Sequence, residues 1–312
     1  MIFLSKNGIQ HLLLKLPIGR NPHELPSSFF TCLQLRHLTL QSGLILPPPS
    51  FKGFDRLISL ELRDVTISSK LLESLISHSP LLEQLVLQIS DVLTDVIEIN
   101  APMLRTFDFT GRISCICLKS VPLLEKLSLQ DAELYYLKAA EKCDIAKFFE
   151  PLSTLEHLHL ANLFLSPGAG EIPPSIPFVL HSVKRLCLSG MYFDPLDVVT
   201  SALCLIRSFP NLQSMEIQVA LFYNDVPAPE SLQVERFSNV TFYRLREVKL
   251  EGFIGTKPEM QLVELLLAKS PALVRILIKL SRSAKDSARA KILAVLSKIK
   301  LASPKAEVDF IF

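Results

Sequence analysis

The residues best equipped for chemistry are histidines and cysteines, so their spacing comes first. His157-x-His159 puts two imidazoles on one side of an extended strand, because strand side chains alternate. That pair suits a zinc ion, which needs a third and usually a fourth ligand. Cys187, one repeat further on, is the nearest candidate, but it stands beside Arg185, whose charge repels a cation. Cys115 and Cys117 share a face in the same way and lack partners. The six cysteines, at 32, 115, 117, 143, 187 and 204, form no C-x-x-C pair. They read as separate reduced thiols of an intracellular chain. No metal and no cofactor is expected. No nucleophile elbow, phosphate loop, dinucleotide fingerprint or H-E-x-x-H is present, so the expectation is a protein that is not an enzyme.

Composition supports a binding role over a reaction. Hydrophobic residues make up 49% and charged residues 21% of 312, which is globular. Mean hydropathy is +0.34, yet charge-free stretches such as 157–170 are broken by Pro and Gly. A spanning helix needs ~20 apolar residues in a row. Met1 to Lys6 is too short an apolar run for a secretory signal, so cytoplasm or nucleus is expected. Asn239-Val240-Thr241 is then a chance sequon. Leucine occurs 58 times, against 10 Gly and no Trp.

A repeat accounts for the leucine. L-x-x-L-x-L starts at Leu35, Leu57, Leu82, Leu124 and Leu155. Looser forms start at Ile9, Leu104, Ile113, Leu134, Val183, Leu212, Leu245 and Leu273. The steps from 35 are 22, 25 and 22, and those from 155 are 28, 29, 33 and 28. Leucine-rich repeats recur every ~20–29 residues, each with one short strand. The two leucines of L-x-L share a face, and stacked repeats bury that face continuously. Steps of 9, 11 and 10 around 104–134 are irregular and read as short strand-and-turn units or as over-read alternation. The fold class is an α/β leucine-rich-repeat solenoid, with a parallel sheet on the concave face and helices and loops on the convex face.

The elements that return the chain are also legible. Thr256-x-x-Glu259 is a capping box ahead of Leu262, Leu265 and Leu266. Asp194-Pro195 opens a helix carrying Leu196, Val199, Leu203 and Ile206, and Lys70 to Ser77 is a shorter one. Pro80, Pro102, Pro122, Pro210 and Pro271 each stand two residues before a motif start, where they end one segment and admit the strand. Two residues past L-x-L come Ser42, Asp64, Asp131, Asn162 and Gly190, types that turn sharply or bond local backbone.

Ser79 to Leu87 (S-P-L-L-E-x-L-x-L) and Val121 to Leu129 (V-P-L-L-E-x-L-x-L) resemble plant F-box proteins of the leucine-rich-repeat and FBD type. So do Leu4 to Ile9, Leu33 to Leu38 and Phe51 to Phe54. In the C-terminal part, Leu245 to Leu250, Gly252-Phe253, Glu259, Leu262 to Leu267 and Ser270 to Leu273 follow the FBD pattern. Ala302 to Glu307 resembles its closing strand. The resemblance implies a leucine-rich-repeat region over 1–240 and an FBD-like region over 241–312 that continues and caps the solenoid. It implies a substrate receptor of a cullin-type ubiquitin ligase, whose repeats bind the protein to be ubiquitylated. The family's F-box precedes the repeats and opens with Leu-Pro. Here the first repeat starts near residue 9, and neither Leu16-Pro17 nor Leu25-Pro26 opens such a segment. The expectation is therefore a fragment, a truncated product, or an F-box-less interaction or decoy scaffold. A ligase adaptor is a partner only where an upstream F-box exists.

The third and fifth motif positions point off the core onto the concave face. The candidate partner-binding residues there are His37, Glu61, Gln84, Asp108, Lys126 and Tyr136, followed by His157, His159, Arg185, Glu216, Glu247 and Lys249. The face is mixed in charge, which suits a protein; a phosphate backbone wants a continuous basic stripe. From 269 to 305 there are ten basic residues and one acid, Asp286, which makes nucleic acid a weaker alternative. Within it Ile292, Val295, Leu296 and Ile299 have helical spacing and read as a helix closing the array rather than lying on a membrane.

Overall fold

The computed structural model describes residues 8–17, 22–89, 95–111, 116–131, 148–161, 179–191, 203, 206–219, 240–281 and 301–311. The chain forms two compact units, Met1–Leu155 and Glu156–Phe312. In the first, one parallel sheet runs through β1 (His11–Lys15), β2 (His37–Leu44), β3 (Ser59–Thr66), β4 (Gln84–Gln88), β6 (Thr106–Gly111) and β8 (Lys126–Asp131). In the second, the parallel order is β9 (His157–Ala161), β10 (Arg185–Met191), β11 (Ser214–Val219), β12 (Glu247–Phe253), β13 (Arg275–Leu280) and β14 (Glu307–Ile311). Parallel neighbours need a crossover, so each repeat must return along the back of the sheet.

The leucines of the repeat are the core. Leu38, Leu60, Leu85, Phe107 and Leu127 stand side by side across β2, β3, β4, β6 and β8, and Leu40, Leu62, Leu87, Phe109 and Leu129 form the next row. All ten are buried. In the second unit Leu186, Met215, Val248 and Ile276 make the equivalent row. Burying a leucine contributes ~1.5–3 kcal/mol, so each row holds neighbouring repeats together.

The return segments differ from repeat to repeat. After β3 the chain forms α1 (Ser69–Ser77), whose N-cap Ser68 accepts a hydrogen bond from the Leu71 N–H and whose Leu72, Leu75 and Ile76 are buried. After β4 and β6 it forms β5 (Ile97–Asn100) and β7 (Ile116–Ser120), which pair as a separate two-stranded sheet. The Ile113 motif is thereby corrected: its strand does not join the main sheet, and Cys117 lies on β7. The steps of 9 and 11 are two halves of one repeat from Leu104 to Leu124, because the returning segment happens to alternate as well. In the second unit, α2 (Lys257–Lys269) returns the chain from β12 to β13.

Two local devices recur. Before β4, β6, β8, β11 and β13 a tight turn closes, with Leu82, Leu104, Leu124, Leu212 and Leu273 N–H groups donating to the carbonyls three residues earlier at 3.0–3.2 Å. Pro80, Pro102, Pro122, Pro210 and Pro271 occupy the second position of these turns, where their fixed φ is already correct. Near the ends of β2, β3, β10 and β12 the chain turns left-handed at Ser42 (φ 61°), Asp64 (51°), Gly190 (66°) and Gly252 (79°). This is the position two past L-x-L, and it explains why small, Asx or Gly residues occupy it. The kink throws the following residue inward, as at the buried Val65 and Phe253.

The capping box is formed: the buried Glu259 carboxylate accepts from the Thr256 N–H at 2.7 Å and the Ile254 N–H at 3.2 Å. Residues 241–312 supply β12, α2, β13 and β14, which extend the same parallel sheet. The Leu134 motif and the closing helix expected at Ile292, Val295, Leu296 and Ile299 lie outside the described residues, as does most of the helix starting at Asp194. Among the described residues no helix is long and apolar enough to cross a membrane.

Candidate functional site

Alternation puts the residues between the core leucines on the opposite, outward face of each sheet. In the first unit one outward row reads His11, His37, Ser59, Gln84, Thr106, Lys126, and the next reads Leu13, Thr39, Glu61, Val86, Asp108, Ser128. In the second unit the rows are His157, Arg185, Ser214, Glu247, Arg275, Glu307 and His159, Cys187, Glu216, Lys249, Leu277, Asp309. Every candidate residue except Tyr136 falls in these rows; Tyr136 lies outside the described residues. None of those placed is buried, so all present side-chain surface.

Reading only the third and fifth motif positions missed a third outward row. Gln41, Arg63, Gln88 and Thr110 stand side by side one step further along the strands. In the second unit Gln218, Glu251, Lys279 and Ile311 do the same. Continuing the alternation to the residue just past L-x-L would have found them.

These rows carry the electrostatics. Lys249 Nζ lies 2.9 Å from both Glu216 Oε1 and Glu251 Oε1, and Lys279 approaches Glu251 at 3.9 Å. Gln218 donates to Glu216 at 2.8 Å. Burial raises the Glu216 carboxyl, but the hydrogen bonds from Gln218 and Lys249 outweigh it and hold the group below its ordinary value. The hydrogen bonds to Glu216 and then Glu251 raise Lys249. Arg275 Nε pairs with Asp309 at 2.6 Å, one strand away. In the first unit Arg63 pairs with Glu61, which also accepts from Thr39 Oγ1 at 3.2 Å. His11 and His37 stack with ring centroids 4.4 Å apart and planes 8° from parallel.

The zinc candidates are brought near one another but differently engaged. His159 Nε2 lies 2.8 Å from Ser189 Oγ. Cys187 stands between His159 and Glu216 in its row, where burial and then the Glu216 charge push its thiol up to about 11. A thiol that acidifies so late is a poor nucleophile and a reluctant metal ligand. Among the described residues no group of three or more His, Cys, Asp or Glu is placed to hold a metal ion.

The comparisons with known proteins point the same way as the rows. Residues 2–217 match the family described as "FBD-associated F-box protein At5g56370, LRR repeats". The F-box/FBD/LRR-repeat protein At1g13570 of Arabidopsis thaliana is 29% identical over 323 residues, which cover 100% of this chain and 75% of that protein. The FBD-associated F-box protein At1g61320, also from Arabidopsis thaliana, is 21% identical, over 94% of this chain and 71% of its own length. The F-box/FBD/LRR-repeat protein At5g56570 of the same plant is 24% identical, over 88% and 64%. With the repeat matched over most of its length and the parallel strands in the register the repeat demands, this chain belongs to the leucine-rich-repeat family of FBD-associated F-box proteins.

Proposed function

We propose that the chain is a protein-recognition scaffold, the substrate-binding part of a cullin-type ubiquitin-ligase receptor, and that the outward rows contact the protein to be ubiquitylated. The observation that carries it is the register. Side chains from strands 20–33 residues apart in sequence are brought shoulder to shoulder as a surface of amides, hydroxyls and charges. A surface assembled that way reads an extended area of another protein, as repeat scaffolds do. Residues 241–312 serve in this reading as the FBD-like end of the array. Intracellular residence fits the unpaired thiols of Cys32, Cys117 and Cys187. Ligase coupling requires an F-box on the same polypeptide.

The test uses affinity purification of the tagged chain from plant tissue, alongside a Gln84→Arg/Thr106→Arg variant. Both positions are on the outward face, so the variant should unfold at the wild-type temperature. A set of proteins captured by the wild type and lost from the variant is the expected result. Capture that is identical for both would sink the outward-face reading. Co-purification of the ligase adaptor with the natural full-length polypeptide supports coupling; its absence there reduces the proposal to recognition without ubiquitin delivery.

A further inference from the structure

We infer that the rim of the second unit around Tyr243, Arg244 and Arg246 docks an acidic segment of a protein partner, a segment that also carries aliphatic side chains. This rests on the protein-recognition reading and adds to it a place and a chemistry.

The geometry begins with the turn before β12. The Leu245 N–H donates to the Phe242 carbonyl, so Tyr243 and Arg244 occupy the two corners. Leu245 is fully buried, which forces Arg244 and Arg246 on either side of it to leave the backbone towards solvent. Both are exposed, and Tyr243 keeps 73% of its surface. The equivalent corners of the flanking repeats are Pro210 with Asn211 and Pro271 with Ala272, and Arg246 stands between Gln213 and Val274. Val274 is 53% exposed.

Charge decides the occupant. Three other cations of this region are paired: Lys184 with Glu156, Lys249 with Glu216 and Glu251, Arg275 with Asp309. Among the described residues no carboxylate lies within ion-pair distance of Arg244 or Arg246; their neighbours are Asn211, Gln213, Ala272 and Val274. The Asn211 amide is already spent on the His181 carbonyl at 2.8 Å. Two exposed planar guanidinium groups on either side of Leu245, with no carboxylate partner among the described residues, match carboxylates, which they grip bidentately. Tyr243, Val274 and the prolines offer apolar surface to aliphatic side chains between those carboxylates. A nucleic-acid backbone fits less well, because exposed Glu247 and Glu307 interrupt the basic stripe it needs. In the first unit the corresponding corners are Leu33-Gln34, Asp55-Arg56, Pro80-Leu81, Pro102-Met103, Pro122-Leu123 and Ser153-Thr154, and the one arginine among them, Arg56, already donates to Gln34 at 2.7 Å.

The test is fluorescence anisotropy with the full chain and a fluorescein-labelled dodecapeptide alternating glutamate with leucine and proline. A peptide with glutamine for glutamate and a labelled oligothymidylate of equal charge serve as comparisons. The glutamate peptide should bind, and binding should weaken as salt rises from ~50 to ~500 mM. Arg244→Glu/Arg246→Glu should weaken it at least about tenfold, and Tyr243→Ala should weaken it less. Lys70→Glu, on exposed α1, should change nothing. If the double reversal lowers the melting temperature, Arg244→Gln/Arg246→Gln carries the same comparison. Equal binding of the glutamine peptide, indifference to the arginine changes, or tighter binding of the oligothymidylate through the same arginines overturns the proposal. Failure of the glutamate peptide while Gln84- and Thr106-dependent capture persists overturns the rim alone and leaves the recognition reading standing.

Discussion

The two units share one scaffold and dress it differently. On the first unit's outward face, Ser59, Gln84, Thr106, Gln88 and Thr110 are uncharged hydrogen-bonding groups, beside Glu61 paired with Arg63 and the charged Asp108 and Lys126. On the second, Glu216, Lys249, Glu251 and Lys279 form a connected set, and Arg275 reaches Asp309. A partner laid on the second face must disturb charges that already satisfy one another, and desolvating paired charges is costly. A partner on the first face meets amides and hydroxyls, which exchange water for protein at small net change. The core rows, by contrast, are nearly interchangeable between units. The lesson is that the inward half of each strand specifies the stack while the outward half is free to specify binding, and the two units have used that freedom in opposite ways.

The sharpest way to break the comparison is at the post-strand kink, which the first unit makes with Ser42 and Asp64 and the second with Gly190 and Gly252. A Cβ on Gly252 would stand 2.5 Å from the Val219 carbonyl oxygen of the preceding repeat, with φ at +79°. Gly252→Ala should cost about 3 kcal/mol or more, from left-handed strain plus displaced backbone. Asp64→Ala, at φ 51°, should cost only about 1 kcal/mol. Asp64→Gly should be neutral or stabilising. Urea unfolding reads all three, and equal losses at the two sites would mean the kinks are not equivalent devices.

A middle-sized effect belongs to the second unit alone. Glu259 is buried against the start of α2, and burial raises its carboxyl above the ordinary value despite the backbone N–H groups that favour its charge. Glu259→Ala leaves the Thr256 and Ile254 N–H groups without that acceptor and should cost about 2 kcal/mol. Glu259→Gln keeps an acceptor oxygen without a buried charge and should stay within about 1 kcal/mol of wild type. A raised acid stabilises as pH falls from its folded value towards the unfolded one, so the glutamine variant should lose that part of the pH dependence.

How much of this was readable beforehand follows the physics of each feature. The core rows were legible in L-x-x-L-x-L, because burial at period two is a local pattern, and Phe107 and Phe109 fitted it without being leucine. The capping box and the turn prolines were legible for the same reason. The Ile113 motif misled, since alternation says that a strand has an inside but not which sheet it joins; β7 has its own inside, at Ile116 and Leu118. The ion pairs were not legible. Arg275 and Asp309 are 34 residues apart, and Lys249 and Glu216 are 33 apart. Their meeting depends on register, which depends on repeat lengths ranging from 20 upward. Of the candidate site, positions were readable and partnerships were not.

A smaller effect tests whether the second face is held by its charges. Lys249→Met leaves Glu216 and Glu251 facing each other without their shared cation. The lysine side chain is 41% exposed, so solvent screening limits the loss to about 0.5–1 kcal/mol. The loss should shrink in high salt, and Thr39→Val on the first face should show no such salt dependence. Glu216, held low, contributes stability that is present above its unfolded value and is lost only as pH falls through the carboxylate range.

The smallest effect distinguishes the units by pH. His37 is held below its ordinary value by burial first, then by the charges of His11 and Arg36. A base whose folded value is depressed binds fewer protons folded than unfolded, so stability falls as pH drops from about the ordinary histidine value of 6.5 towards the folded value. The stacked His11 makes β1 the element that feels this, because its pairing to β2 is where the two rings meet. Hydrogen exchange at β1 should therefore speed up between neutral and mildly acidic pH while β11–β13 stay unchanged until the carboxylates titrate. His37→Gln should flatten the response at β1 and leave the second unit as it was. Acceleration of both units together, or a β1 response that survives His37→Gln, would mean that the stacked histidines do not set the difference.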